Sequence, residues 1–527
     1  MSLEPVLIAG VWRQARDPLG AFSPENPATK AALPERYPVS GEDDIEEALR
    51  AARGARLRRL PPDAVAQFLE LYADRIEARG DDLIEQAQLE TALPAEPRLR
   101  GVELPRTTDQ LRQAAAAARD RSWTSATIDT GSYIRSMYGP LGGPVVVFGP
   151  NNFPFAFNSA AGGDFAAAIA AGNPVIAKAN TGHPGTTKIF AEAAFEAASA
   201  SGLPPAMVQL IYRTPPELGL KLVSHPLIGG TGFTGSRSAG LRLKEAADRA
   251  GKPIYLEMSS VNPIFVLPGA LRERPDEIAG ELYASCTLGA GQFCTSPGLT
   301  IVPEGDRGET FLGAVRALFE SRSAGTLLGA EGPLGLAAGL RVLEEHGARV
   351  VTGGFELDGP GYAFANTLLR ISGDAFLENP HALQTEAFGT VNLMIFASDA
   401  AQMEQIAAQL EGNLTGCIYS HTRGEDDAIY DRIEPLLRER VGRLLNDKMP
   451  TGVAVVPSMN HGGPFPATGH PGFTAVGIPA SLVRFASLQS YDEVRAHRLP
   501  PELRDENPTG KMWRLIDGEW TQKSIES

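Results

Sequence analysis

Cysteine is scarce in this chain: three residues, Cys286, Cys294 and Cys417, in 527. None stands at a paired spacing, which argues against a disulfide framework and for a reducing compartment. The eight histidines form no metal-ligand pattern. Neither His461 nor His470 has a partner at helical spacing, so no metal is expected. No apolar run is long enough to span a bilayer, and Met1-Ser-Leu-Glu-Pro5 lacks the blocks of a secretion signal, so the expected setting is the cytoplasm, away from membranes. Basic residues are outnumbered: 48 Lys and Arg against 63 Asp and Glu give a net charge of −15. With no long basic run, nucleic acid is not an expected partner. What remains is ordinary globular composition, 43% hydrophobic and 21% charged. The length implies two or three domains.

Helical periodicity covers much of the first 121 residues: 43–55, 63–92 with a break near Gly80, and 104–121. From Pro144 the texture changes. Strands at 144–148, 173–178, 208–213, 227–234 and 253–257 alternate with helices at 155–171, 185–201 and 235–250. Such alternation implies a parallel sheet covered on both faces, of the nucleotide-binding kind. A second α/β pattern runs to about Pro457, with strands at 263–267, 299–302 and 391–396 and helices near 275–287, 309–322 and 400–411. Residues 458–477 are rich in Gly, Pro and His and read as loop. In the tail, Trp513-Arg-Leu-Ile-Asp-Gly-Glu-Trp520 echoes Leu7-Ile-Ala-Gly-Val-Trp12, and an added edge strand is expected there.

Several residues invite chemistry, each with a plainer reading beside it. Cys294 sits in Gly289-Ala-Gly-Gln-Phe-Cys-Thr-Ser-Pro-Gly298. It is either a structural cysteine near a turn or a thiol that backbone N–H groups and a carbonyl can approach closely. The G-x-G-x-x-G loop is absent after the first long strand; Phe233-Thr-Gly235-Ser236 and Gly240 open a helix where phosphate can approach, or merely pack it. Lys178 and Arg213 end neighbouring strands, as solvent-facing stops or as cations for ribose and phosphate. Glu257 ends the fifth strand, as a buried base or an ion-pair partner. Asn151 and Asn152 belong either to a turn or to an oxyanion donor.

Taken in order, Asn152-Phe-Pro154, Lys178, Phe233–Ser236, Glu257, Gly291-Gln-Phe-Cys294 and Glu386-Ala-Phe-Gly389 resemble the motif series of the aldehyde dehydrogenase superfamily, over roughly residues 5 to 490. The resemblance implies an α/β fold with a Rossmann-like cofactor domain (1–121 and 141–257) and an α/β catalytic domain (258–457). It also implies a small β bridging element (122–140 and 475–492) pairing subunits into a homodimer or homotetramer, leaving 493–527 as a tail. It implies oxidation of an aldehyde to a carboxylate with NADP or NAD. Cys294 would be nucleophile, Glu257 the base for water, and Asn152 with the Cys294 N–H the oxyanion donors. Lys178 and Glu386 would hold ribose hydroxyls, Phe388 would pack near the nicotinamide, and Gly235, Ser236 and Gly240 would face the pyrophosphate.

The departures narrow the reading. Many members carry a glutamate three residues after the lysine; here it is Thr181, which removes repulsion toward a 2′-phosphate. With Arg213 as counter-charge, NADP is the expected preference. Asn151 replaces a common tryptophan, and Glu257-Met-Ser-Ser260 replaces Glu-Leu-Gly-Gly. These variants, with Ala161-Gly-Gly-Asp164 and His461-Gly-Gly-Pro-Phe-Pro-Ala-Thr468, resemble the branch acting on α-ketoglutaric semialdehyde (2,5-dioxopentanoate). Fatty aldehyde dehydrogenases share several of them. Arg106 and Phe153 are the candidate substrate contacts. Arg106 either holds a substrate carboxylate or pairs with Glu103 or Asp109 at the surface.

Overall fold

Unbroken apolar runs build the strand Val145–Phe148 and all but the last residue of Val175–Lys178, because both faces of this first sheet are covered. The computed structural model describes residues 2–55, 57 and 60–526. The sheet's order is Ile254–Glu257, Gly230–Thr234, Val145–Phe148, Val175–Lys178, Val208–Ile211, then the hairpin Val6–Ile8 and Val11–Arg13. The first five strands are parallel; the hairpin is antiparallel. Val145, Val146, Val175, Ile176 and Leu210 are fully buried, each worth about 1.5–3 kcal/mol as removed apolar surface.

Register decides what this sheet can do. Lys178 lies opposite Phe148 and Ile211, and Thr234 lies opposite Glu257. The chemistry-bearing residues therefore share one carboxyl edge. Strand order reverses between Val145–Phe148 and Gly230–Thr234, and such a switch point leaves a crevice at that edge.

The second sheet runs Arg349–Thr352, Thr367–Ser372, Val391–Ala397, Leu299–Pro303, Ile264–Val266, Asn413–Tyr419, Val441–Asn446, parallel but for the first pair. Cys294 and Glu386 precede Leu299–Pro303 and Val391–Ala397. They sit at the amino ends of this sheet and face the carboxyl edge of the other.

A third sheet joins Ala486–Asp492, Ile134–Pro140, Thr127–Asp129, Arg514–Ile516 and Glu519–Thr521. The last two strands lie in the presumed tail, and the first of them pairs parallel to Thr127–Asp129. The echo between the two ends has a conformational cause. Ala9-Gly10 and Asp517-Gly518 all have positive φ, as a two-residue type I′ hairpin demands.

The expected helix over 155–171 is shorter, Gly163–Ala170. Asn158 turns the preceding chain: its amide donates to Pro154 O and its Oδ1 accepts from Ala160 N–H. This local bonding competes with helix. The strands Thr367–Ser372, Asn413–Tyr419 and Val441–Asn446 and the helices Glu331–Glu345 and Asp427–Arg438 were not legible by period alone. No helix among the described residues is long and apolar enough to cross a membrane.

Candidate active site

A cavity of about 620 Å³ opens at the switch point, with Asn152, Lys178, Ser236, Glu257, Cys294 and Glu386 on its wall. The residues come from both large sheets, so the site exists only where the two edges meet.

Cys294 is partly exposed, whereas Cys286 and Cys417 are fully buried. Its loop is wound left-handed at Gly289, Ala290 and Gly291. A Cβ on Gly291 would meet the Gly389 carbonyl carbon at 2.2 Å. That close approach ties the cysteine loop to Glu386-Ala-Phe-Gly389 and requires glycine. Asn262, itself at φ +45°, donates to Cys294 O and Ser296 O, 2.9 Å each. Asn413 Oδ1 in turn accepts from the backbone N–H groups of Val261 and Asn262. Burial pushes the Cys294 thiol well above its usual value, with Glu257's charge adding and Arg106 opposing.

Asn152 is held by side chains that grip its turn. Asn180 donates to Gly149 O at 3.0 Å, His183 Nε2 to Pro150 O at 2.9 Å, and Arg98 to Asn152 O at 2.7 Å. Burial pushes His183 down to about 4, so it donates as the neutral ring. Arg98 pairs with buried Glu103 at 2.8 Å, and the other Glu103 oxygen accepts from Phe155 and Ala156 N–H. The Asn152 amide donates to Gln292 O at 2.9 Å, which leaves its second N–H available toward the cavity.

Glu257 is 1% exposed. Its Oε1 lies 2.9 Å from His461 Nε2, and its Oε2 has no partner. His461 also stands 3.4 Å from Cys294 Sγ. His461 has no partner at helical spacing along the sequence, but its neighbours in space lie 167 and 204 residues away. Thr468 bridges to Glu257, and Met258 N–H donates to Ala467 O, so the 458–477 loop is stitched beside the strand end. The clue in the sequence was a histidine inside that Gly- and Pro-rich loop.

Arg106 pairs with neither Glu103 nor Asp109. Glu103 is taken by Arg98, and Asp109 accepts from Gln113. Arg112 binds Asp74 and Glu77 at the surface. The Arg106 guanidinium lies over the Phe157 ring at 5.0 Å and the Phe153 ring at 5.7 Å. Its Nε and one Nη are buried without hydrogen-bond partners. Phe153 stacks edge-on against Phe157 and Phe293. Arg443, from the strand Val441–Asn446, donates to Gly452 O and Pro450 O, and its charge bears on Cys294.

The cofactor candidates divide. Lys178, Gly235, Ser236, Glu386 and Phe388 line the cavity; Thr181, Arg213 and Gly240 do not. Gly240 is buried, and a Cβ there would meet Met258 Sδ at 3.0 Å and the Phe233 ring at 3.2 Å. Its small size seats the helix Arg237–Arg249 against the sheet instead of admitting a phosphate. Thr181 and Arg213 follow adjacent strands just beyond the wall, Arg213 being exposed. Among the described residues no carboxylate pairs with Lys178. Burial and then Arg213 pull its pKa down to about 8. The exposed N-terminus of the helix Arg237–Arg249 begins at Ser236. An unpaired lysine beside a helix N-terminus fits an anionic dinucleotide.

A parallel dinucleotide-type sheet whose edge faces a cysteine, a carboxylate and an amide defines an NAD(P)-dependent oxidoreductase that acts on aldehydes. The chain belongs to the aldehyde dehydrogenase family, whose model ("Aldehyde dehydrogenase family") matches residues 12–435. It is 39% identical over 505 residues to alpha-ketoglutaric semialdehyde dehydrogenase 2 of Azospirillum brasilense, covering 92% of this chain and 93% of that one. It is 36% identical to alpha-ketoglutaric semialdehyde dehydrogenase of Acinetobacter baylyi, covering 91% and 92%. Among solved structures it resembles 1-pyrroline-5-carboxylate dehydrogenase from Thermus with bound NAD, with TM-score 0.78, 26% identity and 93% of each chain covered.

Proposed function

We propose that this enzyme oxidises 2,5-dioxopentanoate to 2-oxoglutarate, with NADP preferred over NAD. The observation that carries the substrate reading is Arg106: two buried, unpartnered guanidinium nitrogens above an aromatic cluster. Burial pulls its pKa below the usual value, so a substrate carboxylate would relieve an existing cost. The two semialdehyde dehydrogenases that align over nine-tenths of the chain support the same substrate.

Cys294 attacks the aldehyde carbon, and Asn152 Nδ2 with the Cys294 N–H takes the developing oxyanion. Glu257 Oε2, free of protein partners, draws a proton from the water that cleaves the thioester. Lys178 and Glu386 would hold ribose hydroxyls, Gly235 and Ser236 would receive the pyrophosphate, and Phe388 would pack near the nicotinamide, all five lining the cavity. Thr181 and Arg213, which follow adjacent strands outside the cavity wall, would meet a 2′-phosphate. The bound dinucleotide supplies the hydride acceptor. The third sheet is the surface for pairing subunits into a dimer or tetramer, and residues 1–121 with 141–257 serve the cofactor.

Arg106→Ala should lower kcat/KM for 2,5-dioxopentanoate by about 10²-fold, as when one partner of a buried charge pair is removed. Activity with a medium-chain aliphatic aldehyde should hold or rise. A wild type that prefers the aliphatic aldehyde sinks the substrate reading and leaves Cys294 and Glu257 in their roles.

Dinucleotide affinity should peak between the two titrations. Burial, with Glu257's charge adding to it, raises Glu386 to about 7. Below that value it is protonated and loses acceptor strength toward ribose. Lys178, at about 8, loses its charge above that value. Fluorescence titration with NADPH should give a lowest Kd between these limits, rising up to about tenfold per pH unit outside them. Lys178→Met should remove the alkaline break alone.

A further inference from the structure

We propose that Cys294 Sγ, His461 Nε2 and a Glu257 carboxylate oxygen form a binding site for one Zn²⁺ ion, and that the bound ion reversibly shuts the enzyme off. The site itself stands on geometry. Its effect on turnover rests on the reading of Cys294 as nucleophile and Glu257 as base.

Spacing along the chain could not show this site, because its ligands come from a loop, a strand end and the 458–477 segment. One ligand atom from each residue lies within 4.8 Å of the other two. Nε2 stands 3.4 Å from Sγ and 2.9 Å from Oε1. Around a tetrahedral zinc, with bonds of about 2.0–2.3 Å, neighbouring ligands stand about 3.3–3.6 Å apart. Nε2 is thus within about half an ångström of ligand spacing to both neighbours.

The protein holds the three groups in place by itself. His461 is 2% exposed, its backbone N–H donates to Thr474 Oγ1, and its carbonyl accepts from Ala475 N–H. Phe157 packs on its ring with centroids 5.8 Å apart. A second observation points to a ligand: Glu257 Oε2 is buried without a hydrogen-bond partner. Such an oxygen is costly until something positive or donating reaches it. Cys294 and Glu257 line the cavity, which gives an ion its path in and a water for the fourth position. His461 supplies the third ligand from behind that wall.

Charge favours the ion. The thiolate and the carboxylate neutralise it, which offsets the cost of burying either anion alone. Thiolate with imidazole selects Zn²⁺ over Mg²⁺ and Ca²⁺, which prefer oxygen. Arg106 from the helix Leu104–Asp120 and Arg443 from the strand Val441–Asn446 oppose a cation, and Glu386 from the loop before Val391–Ala397 favours it. These three act through space, whereas the two anions bond to the ion directly.

The protons balance. The 2.9 Å contact holds one proton between Nε2 and Oε1. When the ion binds, that proton sits on Nδ1 instead, and Nε2 gives the ion its lone pair. The thiol proton leaves to solvent as the S–Zn bond forms, and no electron is transferred. One proton is released per ion, so affinity should rise about tenfold per pH unit while the free thiol is protonated. The ion then occupies the sulfur lone pair and the carboxylate together, and neither attack nor water activation proceeds.

The test uses the full-length enzyme in thiol-free buffer. Zn²⁺ should inhibit aldehyde oxidation at one ion per subunit, EDTA should restore turnover, and Mg²⁺ should have no effect. Co²⁺, as a probe, should give the near-ultraviolet charge-transfer band of a thiolate ligand, and Cys294→Ser should lose it. Competition with a chromophoric zinc chelator should show binding weakened at least about 10²-fold in His461→Gln, the upper figure for losing a partner one shell further out. NADPH binding checks that the variants are folded. Surface pairs such as His381 with Glu411 and His421 with Glu425 can hold adventitious zinc. Equal Zn²⁺ affinity in wild type, His461→Gln and Cys294→Ser places the ion there and overturns the inference, as does a cobalt spectrum without the thiolate band. An ion bound with that band while turnover continues would support the site and count against Cys294 as nucleophile.

Discussion

Glu257→Gln should yield one rapid equivalent of reduced dinucleotide per active site, followed by turnover slowed about 10²–10⁴-fold. The split follows from the two carboxylate oxygens. Oε1 is held by His461 at 2.9 Å, and Oε2 is buried and unpartnered. A glutamine amide preserves the contact with His461 but cannot take a proton from water. Attack by Cys294 and oxidation therefore proceed, and hydrolysis of the thioester stalls. Rapid-mixing absorbance at 340 nm reads the burst. Acid quenching followed by mass analysis should find the acyl group on Cys294. A variant with neither burst nor turnover would move Glu257 to thiol activation.

Glu103→Ala should be the most damaging single change outside the reacting atoms. It unpairs buried Arg98 and strands the N–H groups of Phe155 and Ala156, both of which donate to Glu103 Oε2. Removing one partner of a buried ion pair costs about 3–5 kcal/mol, and each orphaned donor adds about 1–3 kcal/mol where water cannot reach it. The unfolding midpoint in urea should fall accordingly. Under folding conditions kcat should drop further than dinucleotide affinity, because Arg98 also grips Asn152 O at 2.7 Å, and the loosened turn misplaces the oxyanion donor. Unchanged kcat in a folded variant would mean that Asn180 and His183 hold the turn unaided.

The pattern of legibility follows from what each signal measures. Apolar runs marked Val145–Phe148 and Val175–Lys178 because burial on both faces leaves no polar alternation. The turn that replaces the front of the 155–171 helix was hidden, because Asn158 bonds its own backbone where periodicity counts only apolar positions. Thr367–Ser372 and Asn413–Tyr419 carry Thr, Arg, Asn and Gly inside buried strands and so lack a clean apolar run. For Arg106, sequence spacing left the choice between surface pairs and a substrate carboxylate open. Arg98, in the helical turn Ala95–Glu103 that leads into Leu104–Asp120, occupies Glu103 and leaves Arg106 without a partner.

The sequence by itself determined the family, the layered α/β class and the motif residues, because those depend on residue type and order along the chain. Tertiary structure decided the rest. It put Gly240 against Met258, took the presumed tail into the third sheet, and brought His461 between Cys294 and Glu257. Each of these depends on contacts between segments far apart in sequence, whose distances are set by how the sheets pack and not by any local spacing.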